Sequence, residues 1–238
     1  MPITYLAAGT ADQNNGGSDL VPGLPAGANA STVMVCAIYS RGSVDESVTM
    51  PAGWTQALQS RTSGGMLAVF TRPWESGDSA PTITRVNFTG GTSGDTHVAR
   101  IFGFNGVSRS APVAQVGSVS TNGSQANIGA ISGITLASKP TATVIVIGGR
   151  RDDALSASTL SGDGLTWVEV QDQLITAGAD AHMAVNYAID SAGGTTVNNI
   201  ARWNGTAWSA FGTGLGGAAK AFTVIGSNLY VGGDFTTI

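Results

Sequence analysis

Nothing in this chain recurs at helical spacing. Short runs rich in Val, Ile and Thr alternate instead with clusters of Gly, Pro, Asn and Ser. That is the pattern of strands stopped by turns, and it limits the chain to an all-β fold. Candidate strands are Thr32–Tyr39, Ser43–Met50, Thr55–Gln59, Met66–Thr71, Ile83–Phe88 and His97–Phe104. Further on come Val113–Ser120, Asn127–Leu136, Thr143–Ile147, Thr166–Val170 and His182–Ala188. Gly64-Gly65, Gly90-Gly91 and Gly148-Gly149 read as turns with positive φ. The 34 glycines and the 11% of charged residues fit this reading. With hydrophobic residues at 42%, the chain is apolar enough to fold rather than stay disordered.

Two stretches look like copies of one another. The first runs from Thr32-Val-Met-Val-Cys-Ala-Ile-Tyr through Gly53-Trp54 to Met66-Leu-Ala-Val-Phe-Thr-Arg. The second runs from Thr143-Val-Ile-Val-Ile-Gly-Gly-Arg through Gly164-Leu-Thr-Trp167 to Ala181-His-Met-Ala-Val-Asn-Tyr. The offset stays at about 110–117 residues. Residues 1–190 are therefore predicted to form an antiparallel, jelly-roll-like β-sandwich of two matching halves, with Trp54 and Trp167 in equivalent core positions.

Catalytic signals are weak. His97 and His182 each follow an Asp by two residues in an alternating run, and both read as strand-surface residues, with no G-x-S-x-G element nearby. Asp45-Glu46, Asp152-Asp153 and Glu169 with Asp172 are the carboxylate sets a glycan hydrolase would draw on, but adjacent residues of a strand face opposite ways. Asp12, Asn14, Asn15 and Asp19 make an oxygen-rich loop without the spacing of a calcium motif. Cys36 has no Cys or His companions and reads as a core residue. No catalytic residue, metal ligand or cofactor is assigned. Trp74, which follows Pro73 at a strand end, is the candidate for stacking on a glycan.

The net charge of −4 and the scattered basic residues argue against a nucleic-acid surface. The apolar runs are too short to insert into a membrane. The N-terminus lacks the basic and apolar regions of a secretory signal, so a chain made in a cytoplasm, or one exported by a different route, is expected.

Two resemblances add to this. Pro25-Ala-Gly, Pro51-Ala-Gly-Trp54, Leu67-Ala-Val-Phe-Thr-Arg and Phe102-Gly-Phe-Asn-Gly-Val resemble the β-sandwich modules of bacteriophage minor tail and fibre-like proteins, over about residues 1–190. Residues 191–238 resemble one Kelch-like β-propeller repeat. The carrying residues are Trp203-Asn-Gly-Thr-Ala-Trp208 and Leu229-Tyr230-Val-Gly-Gly-Asp-Phe235, and the resemblance implies that Trp203, Trp208, Tyr230 and Phe235 pack within or between blades. A lone blade cannot bury its own faces, so other subunits or further sequence are expected to complete it.

Together these imply a phage virion structural protein made in the host cytoplasm: part of a tail, a fibre or a capsid-surface decoration. It is expected to form a homo-oligomer, to bind other virion proteins and to meet a host-surface glycan. A carbohydrate-binding or adhesive module of a bacterial surface protein is the alternative, and a glycan hydrolase ranks last.

Overall fold

The computed structural model describes residues 2–15, 18–41, 46–62, 65–87, 96–113, 116, 142–150, 165–175, 181–190, 199–203, 208–226 and 228–236. Among these residues every regular element is a β-strand, and the sheets are antiparallel. The chain divides into two compact units, Met1–Thr135 with Ala142–Asp190, and Leu136–Thr141 with Ser191–Ile238.

The first unit contains β1 (Thr4–Ala8), β2 (Asp12–Asn14), β3 (Thr32–Arg41), β4 (Ser47–Thr49), β5 (Thr55–Thr62), β6 (Gly65–Pro73), β7 (Thr84–Val86) and β8 (Thr96–Asn105). It continues with β9 (Ala142–Arg150), β10 (Val168–Ile175) and β11 (Ala181–Asp190). One sheet runs β1-β8-β3-β6-β5, with β2 also paired to β8. Strand β3 sits at its centre and is buried from Thr32 to Ser40, because both of its edges are paired and both of its faces are covered. That is why its sequence is almost continuously apolar instead of alternating.

Side chains still alternate between two separate cores. Met34, Cys36 and Ile38 join Leu20, Val48 and Ile83 on one face. Val35, Ala37 and Tyr39 point to the other face, where they meet Ala181, Met183 and Val185 of a second sheet. The second sheet has the order β10-β11-β9. An aromatic trio helps join the two sheets. Tyr5 stacks on Tyr187 at 5.0 Å between centroids, and Phe104 meets Tyr5 and Tyr187 edge-on at 5.5 and 5.6 Å.

The order β9-β11-β10 matches β3-β6-β5, with the same antiparallel senses. Trp54 immediately precedes β5 and Trp167 immediately precedes β10. Each of these edge strands also has a register shift at the same place, between Gln56 and Leu58 in one and between Glu169 and Gln171 in the other.

Several expectations are corrected. Gly148-Gly149 is not a turn but part of β9. A Cβ at Gly149 would overlap the ring of Tyr39, so the glycine marks a close approach between strands and not a reversal of the chain. Gly149→Ala is expected to lower stability by about 1–3 kcal/mol in a urea titration; an unchanged midpoint would mean that the ring moves aside. The N-terminal strands β1 and β2 were not anticipated. Asp12 and Asn14 lie in β2, and the Asp12 Oδ2 accepts a hydrogen bond from the Val21 N–H at 2.6 Å, so these residues belong to a sheet and not to an ion-binding loop. Val113 and Val116 lie in no strand, and the rest of Val113–Ser120 and Asn127–Leu136, along with Gly90-Gly91, falls outside the described residues.

The second unit holds two hairpins, β12 (Ala201–Trp203) with β13 (Trp208–Ala210), and β14 (Ala219–Ile225) with β15 (Asn228–Gly233). Trp203 and Trp208 are register partners. Among its described residues the buried hydrophobic side chains are Ile200 and Leu215. An isolated two-stranded hairpin is marginally stable at best in water.

Candidate functional site

Two places in the structure stand out as candidate binding surfaces. The first is a groove beside two turns of the first unit. Pro51-Ala-Gly-Trp54 closes with Trp54 N–H donating to Pro51 O at 3.4 Å, and Glu75-Ser-Gly-Asp78 closes with Asp78 N–H donating to Glu75 O at 3.0 Å. Gly53 and Gly77 both have φ near +92°, the value that the third position of a type II turn needs.

Arg72, near the end of β6, links these turns. Its Nη1 donates to Ala52 O at 2.8 Å, while its Nε and Nη2 donate to the Asp78 carboxylate at 3.1 and 2.5 Å. Asp78 also accepts from Glu75 N–H at 2.9 Å. A fork of this kind fixes direction as well as distance. The hydrogen bonds from Arg72 hold the Asp78 carboxyl below the usual carboxylate range, partly opposed by desolvation. The same bonds raise the pKa of Arg72. Around this pair lies a groove of about 550 Å³, lined by Met50, Trp54, Pro81, Thr49, Ser79, Thr82 and Thr84 among others.

The second place is the β14–β15 hairpin. Register puts Phe222 opposite Val231 and Val224 opposite Leu229, so these four apolar side chains share one face of the hairpin. Phe222 is 60% exposed and Val224 67%. Tyr230 and Ile225, on the opposite face, are exposed too. At the hairpin base Lys220 pairs with Asp234 at 2.5 Å, an exposed ion pair that contributes little to stability.

A buried polar cluster gathers residues that the sequence suggested separately. Ser40 and His97 are register partners on β3 and β8. The Ser40 hydroxyl donates to Glu46 Oε2 at 2.7 Å, and His97 Nε2 lies 2.8 Å from Asn14 Oδ1, with Arg85 Nη1 against the ring. His97 and Glu46 are fully buried, as His182 nearly is, which corrects the strand-surface reading of both histidines. A nucleophilic serine needs its base as hydrogen-bond partner and a path for substrate. Here the hydroxyl is directed at a carboxylate inside the core, so the cluster reads as a buried polar network within the sandwich.

Trp74 is half-buried and packs against the core beside Leu24, Met50 and Trp54. Its carbonyl accepts from Arg109 at 3.0 Å, and it does not line the groove. Trp54 both packs on the core and lines the groove, whereas Trp167 is half-buried before β10. Cys36 is fully buried, and that burial pushes its thiol pKa far up. Glu169 and Asp172 lie in β10. Asp45, Asp152 and Asp153 fall outside the described residues, as do the side chains of Trp203 and Trp208. Phe235 is half-buried. Among the described residues no three His, Cys, Asp or Glu side chains are grouped to hold a metal, and no helix is long and apolar enough to cross a membrane.

The groove was not legible as a site because Arg72 and Asp78 are ordinary residues in sequence. The available signal was the recurrence of Gly one residue before Trp54 and one residue before Asp78. No family model, curated protein or solved structure matches this chain.

Proposed function

We propose that the protein is a bacteriophage virion structural component, from a tail, fibre or capsid-surface appendage, that acts by assembly. In this reading the first unit is a duplicated β-sandwich, supported by the shared strand order and the matching bulges of β5 and β10. The second unit is a propeller-type repeat that other copies of the chain complete. The virion assignment rests on the sequence resemblance, and fold likeness alone does not define a function.

The observation that carries assembly is the apolar face of the β14–β15 hairpin, with Phe222 60% and Val224 67% exposed. Large exposed apolar side chains grouped on one face mark an interaction surface. The unpaired edges of a two-stranded sheet likewise accept a further strand. A second copy supplies such a surface by symmetry, and homo-oligomers are usually cyclic.

Sedimentation velocity tests this reading. The wild-type chain is expected to run as a homo-oligomer, and the double variant Phe222→Lys, Val224→Glu as a folded monomer. A wild-type monomer with protected hairpin amides would overturn assembly through this face. Host-surface attachment is a second role within the same reading, favoured by the groove at Trp54, Arg72 and Asp78. The alternative of an adhesive module on a bacterial surface draws on that same groove.

A further inference from the structure

We propose that the groove beside the two turns binds a neutral pyranose ring of a surface glycan, with Trp54 as its stacking wall and the Arg72–Asp78 pair as its polar clamp. This rests on the attachment role above and is independent of assembly through the hairpin.

A pyranose offers an apolar C–H face and a rim of hydroxyl groups, each both a donor and an acceptor. The groove offers the matching surfaces. Trp54, Met50 and Pro81 supply an apolar wall, while Thr49, Ser79, Thr82 and Thr84 supply hydroxyls. An aromatic ring presents a large rigid face with a polar handle, well suited to such a ligand. The volume of about 550 Å³ lies within the span of roughly 300–1,000 Å³ that small-ligand pockets occupy.

The polar clamp has capacity to spare. Arg72 donates through Nε, Nη1 and Nη2, and a guanidinium carries more N–H groups than these bonds use. Asp78 accepts from Arg72 and from Glu75 N–H, and a carboxylate has a further lone-pair direction open. A sugar hydroxyl can accept from the one and donate to the other. Both groups are held by turns whose hydrogen bonds are already made, so little ordering remains to be done on binding.

Charge selects the ligand class. Asp78 neutralises Arg72 within the wall, so an anionic ligand would gain no unpaired cation there. A sulfate, a phosphate or a sialic-type carboxylate would meet the Asp78 carboxylate beside that cation and be repelled by it. A neutral hexose loses nothing by that pairing.

The test is an amide and indole NMR titration of the full isotope-labelled chain with methyl α-D-glucopyranoside, methyl β-D-galactopyranoside and N-acetylglucosamine. At least one sugar is expected to shift the Trp54 Nε1–H and Arg72 Nε–H resonances saturably, with a millimolar Kd. Trp54→Ala should abolish saturation, and Thr82→Ala should weaken it by about tenfold, the loss of one hydrogen bond. Should Trp54→Ala fail to fold, Trp54→Phe keeps a ring in place and Thr82→Ala still reads the site. The proposal is overturned if none of the three sugars moves Trp54, if the Thr82 variant binds as wild type does, or if sodium sulfate produces the same saturable shifts. Sedimentation of the same samples reports the oligomeric state separately, so a failure here leaves assembly through the hairpin standing.

Discussion

Phe102→Ala lowers the stability of the first unit by about 3–5 kcal/mol, read as a drop in the urea midpoint at unchanged slope. Phe102 is 1% exposed in β8, where it lies opposite Val35 of β3 and Ala8 of β1. It belongs to the apolar layer shared with Met183 and Val185 of the β10-β11-β9 sheet. The Arg100 guanidinium lies 6.0 Å from its ring centroid, held by a bond to Gly9 O at 2.8 Å and by Gln171 of β10. Removing the ring leaves a cavity between two sheets whose strands are fixed by pairing, so collapse is limited. Domains are stable by only about 5–15 kcal/mol in total. An effect under about 1 kcal/mol would mean that the two sheets close over the gap.

Asp78→Asn is expected to lower stability by about 2–3 kcal/mol at neutral pH, through the loss of a charged acceptor from a largely enclosed pair. The Asp78 side chain is 10% exposed and that of Arg72 is 21% exposed, so solvent screening reduces the effect below that of a fully buried pair. The pH dependence has a definite sign. Arg72 depresses the pKa of folded Asp78, so the folded state binds its proton less readily than the unfolded chain does. The contribution is complete above the unfolded value of about 3.9 and is lost as pH falls through the lower folded value. As pH falls below about 3.9 the wild type should therefore lose stability faster than Asp78→Asn, and the two curves should converge. Parallel curves over that range would show that Asp78 contributes nothing by its charge.

How far the fold was legible differs from strand to strand. Central strands were visible because burial on both faces forces an apolar run. Thr32–Tyr39 and His97–Phe104 were anticipated almost whole and became Thr32–Arg41 and Thr96–Asn105. The N-terminal strands β1 and β2 were not. Thr4–Ala8 is at most half-buried, and Asp12–Asn14 has no apolar side chain, so their sequences carry no period that distinguishes strand from loop. Gly148-Gly149 misled for a related reason. Glycine signals either a backbone reversal or a close neighbour, and the neighbour, Tyr39, is more than a hundred residues away in sequence. The groove was hidden in the same way. Pro51-Ala-Gly-Trp54 could be read as a turn, but only the fold brings Arg72 across it and Asp78 to its far side.

The pairing of β1 with β8 also sets an order of events at the ribosome. Thr4 pairs with Asn105, so β1 has no partner strand until about 100 residues later. At roughly 5–20 residues per second that is a wait of about 5–20 s. Once β6 has been made and until β8 follows, β3, with its continuous apolar sequence, has β6 along one edge and nothing along the other, since β8 is its second neighbour. The nascent chain is therefore most exposed to mispairing just before residue 105 emerges, and a slow stretch of translation ahead of β8 would harm yield more than the same pause after it.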